Sequence, residues 1–292
     1  MTVERGGIAI TDPLSPERPP EKHAGPEKGI GLCLSGGGYR AMLFHIGALW
    51  RLNELGLLPR LDRISSVSGG SITAGCLGVY WKNLAFDAQG VGVRFEDEVV
   101  KRIRGLAYRT IDASAVLGGA LLPGTISDRI VSAYGKHLFE QSTLQDLPDR
   151  PRFVINATNV QSGALWRFSK PYMADYRVGM IENPCTPMAV AVAASSAFPP
   201  ILSPVELDLD PSSFKPGTGT NLTAESFRSA VVLSDGGVYD NLGLETVWKR
   251  YKTILVSDAG AAFSPEPDPK RDWGRHAVRV LEIIDNQVRS LR

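Results

Sequence analysis

The chain lacks an excess of charge of either sign, with 32 lysine and arginine residues against 31 aspartates and glutamates. No overall positive field gathers nucleic acid or an anionic membrane, so membrane contact has to be local. Cysteine is scarce and odd in number. Cys33, Cys76 and Cys185 are widely spaced among apolar or small neighbours, without the C-x-x-C spacing of a metal or redox site, and read as buried thiols of a reducing compartment. No apolar run approaches the roughly 18 residues that span a bilayer, and residues 1–11 hold no basic-then-apolar stretch of a secretion signal. A cytoplasmic location is expected. Histidine is scarce as well, with four residues, which narrows the choice of catalytic base.

What is present suits one large α/β domain. Apolar residues make up 43% and charged residues 22% of 292, enough to build a sizeable core. Pro13, Pro16, Pro19, Pro20 and Pro26 lie among charges, so residues 1–28 read as a flexible tail. A catalytic domain is expected over 29–262, followed by a linker and C-terminal helix over 263–292. That helix shows no stop signal, which leaves the chain open to continuing.

Two strand–glycine turn–helix units follow the tail. Residues 29–34 form an apolar run ending in Ser35-Gly36-Gly37-Gly38, and Met42, Ile46, Leu49, Leu52 and Leu55 then recur at helical spacing before Gly56. Residues 61–67 predict a second strand, Ser68-Gly69-Gly70 a turn, and residues 71–81 a helix. Two such units in succession imply a parallel sheet with helices on its faces. Residues 92–147 read as largely helical, 153–158 and 164–169 as strands, 188–197 as a helix stopped by Pro199-Pro200, and 208–228 as a loop. Val231-Val232-Leu233 and Thr253-Ile254-Leu255-Val256 are strands that exit at Asp235 and Asp258, and Val278, Leu281, Ile284, Val288 and Leu291 mark a last helix.

The second turn carries chemistry. A serine nucleophile on an α/β scaffold stands on a sharp strand-to-helix turn that admits only small neighbours, written G-x-S-x-G. Here it reads Ser66-Val67-Ser68-Gly69-Gly70, with Ser66 replacing the first glycine. On the pentapeptide alone, a serine-rich helix cap is an equally good reading. Gly36-Gly37-Gly38, in the neighbouring turn, could offer N–H groups to an oxyanion. The same residues satisfy the dinucleotide pattern G-x-G-x-x-A, but no acid ends the second strand where a ribose would need it, and no Gly-Lys-Ser/Thr makes a P-loop. Of the histidines, His23 sits in the tail, while His45 and His137 read as structural. His276 completes the order Ser, Asp, His of an α/β-hydrolase triad, although few strands precede Ser68 for that fold. Asp235 before two glycines is the other base, able to take the Ser68 proton directly.

Ser35-Gly36-Gly37-Gly38-Tyr39-Arg40, Ser66-Val67-Ser68-Gly69-Gly70 and Asp235-Gly236-Gly237 resemble, in that order, the signature blocks of the patatin-like phospholipase family in its bacterial type. Residues 194–199 and 240–243 look like its connecting segments. The resemblance implies a three-layer α/β/α sandwich with a mainly parallel central sheet, and a Ser–Asp dyad working without histidine, metal or cofactor. It implies Ser68 as nucleophile, Asp235 as base, Gly36, Gly37 and Gly38 as the oxyanion hole, and Arg40 and Gly69 in support. The implied substrate is a membrane phospholipid or lysophospholipid, met by peripheral membrane contact, with no nucleic acid and an open oligomeric state. The family often has Asp where Ser35 stands and Gly where Ala41 stands, which bears on turn geometry. The run 113–122 is a candidate lid or acyl-chain wall, with plain core as the alternative. A His276 triad esterase and an inactive lipid-binding or regulatory module are the rival functions.

Overall fold

A computed structural model describes residues 25–108, 126–199, 202, 204–260 and 263–290. The run 113–122, the tail up to residue 24 and the last two residues lie outside these. β1 (Glu27–Leu34) enters α1 (Gly38–Glu54), and β2 (Arg63–Val67) enters α2 (Gly69–Val79). α3 (Lys101–Tyr108) and α4 (Ile126–Tyr134) follow, each joined to a wide five-residue helical turn. β3 (Arg152–Asn159), β4 (Ala164–Phe168), β5 (Tyr172–Asp175) and β6 (Gly179–Glu182) lead to α5 (Met188–Ser195). β7 (Val205–Asp208), β8 (Ala230–Asp235), the one-turn α6 (Gly237–Asp240), β9 (Tyr251–Ser257) and α7 (Trp273–Ser290) complete the order.

The expected α/β sandwich is found. β9, β1, β2 and β3 run parallel, with β9 last in the strand order, and β4, β5 and β6 extend the sheet antiparallel on the other side. Leu32, Leu34, Ile64, Phe153 and Ile155 sit in the main core with Met42 and Leu49 of α1, Ile72 of α2 and Val192 of α5. Burying each such side chain contributes roughly 1.5–3 kcal/mol. The strand positions between them, Gly31 and Ser65, meet the segment after α6 instead: Val247 lies over Gly31, and the Ser65 hydroxyl donates to the Gly243 carbonyl at 2.6 Å.

The first strand begins two residues earlier than the sequence implies, at Glu27, because its N–H is donated to the Arg250 carbonyl at 2.9 Å as it enters the ladder with β9. The strands β5, β6 and β7 were not expected. β5 is buried along its whole length and shows no alternation to read. Cys33 and Cys76 are buried free thiols, pushed far up in pKa by burial, whereas Cys185, expected to be buried, is exposed.

The register places the two halves of the candidate site. β2 runs parallel to β3 and ends with Val67 opposite Asn156, while β8 runs antiparallel and ends with Asp235 opposite Ala157. Two strands therefore run towards each other along β3 and stop on neighbouring residues. Ser68 follows at that junction.

Candidate active site

Ser68 occupies the turn between β2 and α2 with φ 51° and ψ −122°, a conformation that costs a non-glycine residue about 1–3 kcal/mol. The surroundings enforce it. A Cβ on Gly69 would lie 2.0 Å from the Gly38 carbonyl oxygen, and one on Gly70 would lie 2.5 Å from that of Leu34, so the first glycine turn abuts the second. Gly69→Ala is therefore expected to destabilise the fold by about 1–3 kcal/mol and to disturb both turns at once, which denaturant unfolding and an ester-cleavage assay would register together. Ser66 keeps its Cβ because its hydroxyl has work: it lies 3.0 Å from the Ser71 hydroxyl.

One segment pins both candidate reacting residues. The Ser68 N–H donates to Ser195 Oγ at 3.0 Å, and Ser195 Oγ donates to the Asn156 carbonyl at 2.6 Å. The Ser195 carbonyl accepts the Gly236 N–H at 3.2 Å, and the Ala197 carbonyl accepts the Asp235 N–H at 3.0 Å. From the other side, the Thr158 hydroxyl donates to the Asp235 carbonyl at 2.8 Å. Nothing in the spacing of Ser195 assigns it this role, since its partners are remote in sequence.

The Asp235 carboxylate is 2% exposed and Ser68 5% exposed. Burial pushes the Asp235 carboxyl up to about 7, against the opposing pull of the Gly237 N–H, which donates to Oδ1 at 2.7 Å, and of the Ser68 hydroxyl. Asp285, on α7, adds a like charge that raises it further. A buried carboxylate that titrates near neutrality beside a serine hydroxyl can act as its general base.

The glycine turn divides its labour. The Gly36 N–H, counted among the oxyanion donors from sequence, is donated to the Asn241 carbonyl at 2.9 Å. It anchors the turn instead, and a Cβ there would meet Ser68 Cβ at 3.3 Å. Gly37 and Gly38 adopt positive φ, 135° and 64°, and among the described residues their N–H groups have no partner, as an oxyanion would require. Ser35 fits the turn because its hydroxyl accepts the Ala259 N–H at 2.8 Å. Arg40 is exposed on the first turn of α1.

Two of the histidines are accounted for by the described residues. His45 is buried, with Nε2 donating to the Ser35 carbonyl and Nδ1 accepting from the Ser257 hydroxyl, both at 2.9 Å, and burial lowers its pKa. It ties the exits of β1 and β9 as a neutral structural group. His276 is exposed on α7, about 13 Å along the helix axis from Asp285 at ~1.5 Å per residue. Among the described residues no group of three or more His, Cys, Asp or Glu side chains is arranged to hold a metal, and no helix is long and apolar enough to cross a membrane.

Among solved structures, human GIVD cytosolic phospholipase A2 is similar at a TM-score of 0.45 and 14% identity, over 78% of this chain and 42% of that one. VipD from Legionella pneumophila is similar at a TM-score of 0.36 and 18% identity, over 74% of this chain and 47% of that one. The chain thus spans less than half the length of either. No curated protein matches it in sequence. The family described as Patatin-like phospholipase matches residues 32–248, which take in Ser68, Asp235 and the three glycines, and the chain belongs to that family.

Proposed function

We propose that the chain is a serine-dependent lipid acyl hydrolase, of phospholipase A or lysophospholipase type, that releases fatty acids from glycerolipid esters through an acyl-enzyme. Family membership supports lipid acyl hydrolysis in general. The observation that carries the finer reading is the buried Asp235 carboxylate, raised to about 7, at the junction where β2 and β8 end on neighbouring residues of β3 and Ser68 follows.

In the proposed cycle Asp235 accepts the Ser68 proton while Oγ attacks the acyl carbon. The N–H groups of Gly37 and Gly38 hold the oxyanion, and the leaving alkoxide takes the proton back from Asp235. Water then loses a proton to Asp235 and attacks the acyl-serine, releasing the fatty acid and returning the proton to Ser68. The exposed side chains Tyr39, Phe198 and Val238, each next in chain to a residue of the site, favour a lipid surface as the place where substrate is met. A cytoplasmic protein with peripheral membrane contact fits this reading.

The test is fatty acid release from phospholipid vesicles, with a soluble p-nitrophenyl ester and a fluorophosphonate probe alongside. kcat/KM is expected to rise with pH through a midpoint near 7, because the base works only when ionised. A profile already flat from pH 5 upwards would remove Asp235 as base. His276→Ala should retain near-normal activity, given its exposure; an activity as low as that of Ser68→Ala would restore the triad.

A further inference from the structure

The Asn241 side chain lies between three parts of the molecule. A Cβ on Gly36 would meet its Oδ1 at 2.2 Å and one on Gly237 would meet it at 2.8 Å, so the amide occupies the space between the oxyanion turn and the turn after the base. Its Nδ2 donates to Asp285 Oδ2 on α7 at 3.3 Å, and its main-chain carbonyl accepts the Gly36 N–H. Elsewhere on α7 the Arg279 guanidinium donates to the Ser264 carbonyl at 2.7 Å and stacks on Phe263, while Val280, Leu281, Ile283 and Ile284 are exposed.

We propose that Asn241 is a positioning residue that couples the C-terminal helix to both halves of the Ser68–Asp235 site, and that its partner Asp285 tunes the pH range in which that site works. The proposal rests on the hydrolase reading given above. The amide keeps Gly36 and Gly237 apart at a fixed distance, and Gly237 in turn holds Asp235 Oδ1 with its N–H. The groups acting on Asp235 are the Ser68 hydroxyl from the β2–α2 turn, the Gly237 N–H, the buried Tyr134 phenol from α4 and the Asp285 carboxylate from α7. The acids of β7, Glu206 and Asp208, face solvent. Asp240, five residues after Asp235, has its Oδ2 taken by the Glu245 N–H at 2.6 Å. Asp285 is thus the charged group that a change in α7 would move.

The experiment compares wild type with Asp285→Asn, Asn241→Asp and Asn241→Ala in the full chain, reading kcat and KM for p-nitrophenyl butyrate across pH 5–9. Asp285→Asn removes a like charge from the surroundings of the base and should move the kcat/KM midpoint down, on the order of half a pH unit. Asn241→Asp keeps the shape but adds a charge, and should move it up. Asn241→Ala should lower kcat about tenfold with little change in KM, as loosened catalytic geometry does. A filler without influence on the base would give no opposite shifts, and unmoved midpoints in both charge variants would overturn the proposal. Circular dichroism accompanies each variant; should Asn241→Ala fail to fold, Asp285→Asn on α7 still decides. Wild type that neither cleaves the ester nor takes up the fluorophosphonate would overturn the hydrolase reading itself, an outcome distinct from active wild type with unmoved midpoints.

Discussion

Asp235→Asn will silence ester cleavage while making the folded chain more stable above neutral pH. Activity should fall by about 10³–10⁴-fold in kcat, the scale seen when an acid or base that works with a nucleophile is removed. Stability moves the other way because the carboxyl is raised in the folded chain from 3.8 to about 7. Below pH 3.8 the group is protonated in folded and unfolded chains alike. Between 3.8 and 7 the folded chain keeps a proton that the unfolded chain has released. Stability is therefore lost progressively as pH rises through that window, at ~1.4 kcal/mol per unit or some ~4 kcal/mol in all. Asparagine is neutral throughout and escapes that loss, while its amide oxygen can still accept the Gly237 N–H. Urea unfolding should therefore find the variant roughly 2–4 kcal/mol more stable than wild type at about pH 8, with the gap closing towards about pH 4. Equal stabilities across that range would mean the Asp235 carboxyl is not held high, and the argument for it as base would fail.

Substitutions at Ser68 should separate chemistry from strain. Ser68→Ala removes the nucleophile and keeps the Cβ, so kcat should drop by about 10⁴–10⁶-fold with stability near that of wild type. Ser68→Gly loses the same activity but relieves a backbone held at φ 51°, ψ −122°. After the entropy that glycine adds to the unfolded chain, a gain of about 1 kcal/mol should remain, or ~2–4 °C in thermal midpoint. Calorimetry on the three proteins reads this directly. A Ser68→Gly variant no more stable than the Ser68→Ala variant would show that the turn carries no strain.

Local patterns reached the elements whose environment is set by their own residues. The spacing of Met42, Ile46 and Leu49 marked α1, and the first helix ends one residue before its expected limit, at Glu54. The small residues after Ser68 marked the second turn, because crowding by the Gly38 and Leu34 carbonyls leaves no room for a side chain. Shorter elements were not legible. β5, β6 and β7 have four residues each, too few for a period, and β5 is buried throughout. Gly36, Gly37 and Gly38 read alike in sequence, yet only the first spends its N–H on Asn241, a residue some two hundred positions away.

The sequence by itself nominated the candidate nucleophile, with a serine-rich helix cap as the equal alternative until the family blocks are read together. Ser68 could be named because a serine on a strand-to-helix turn with small neighbours is a local arrangement, set by sterics within a few residues. Asp235 was named from the scarcity of histidine and the family resemblance, while its surroundings, the Ser195 pin and the Asn241 contacts came only with tertiary structure. Asp235 meets Ser68 because β2 and β8 run towards each other on β3 and stop at Asn156 and Ala157. Ser195 holds the Ser68 N–H, and Asn241 joins the first glycine turn to α7, through contacts between residues far apart in the chain. Even the pH at which the Asp235 carboxyl titrates belongs to the fold, since burial and the approach of Asp285 set it, and neither exists until the sheet has formed.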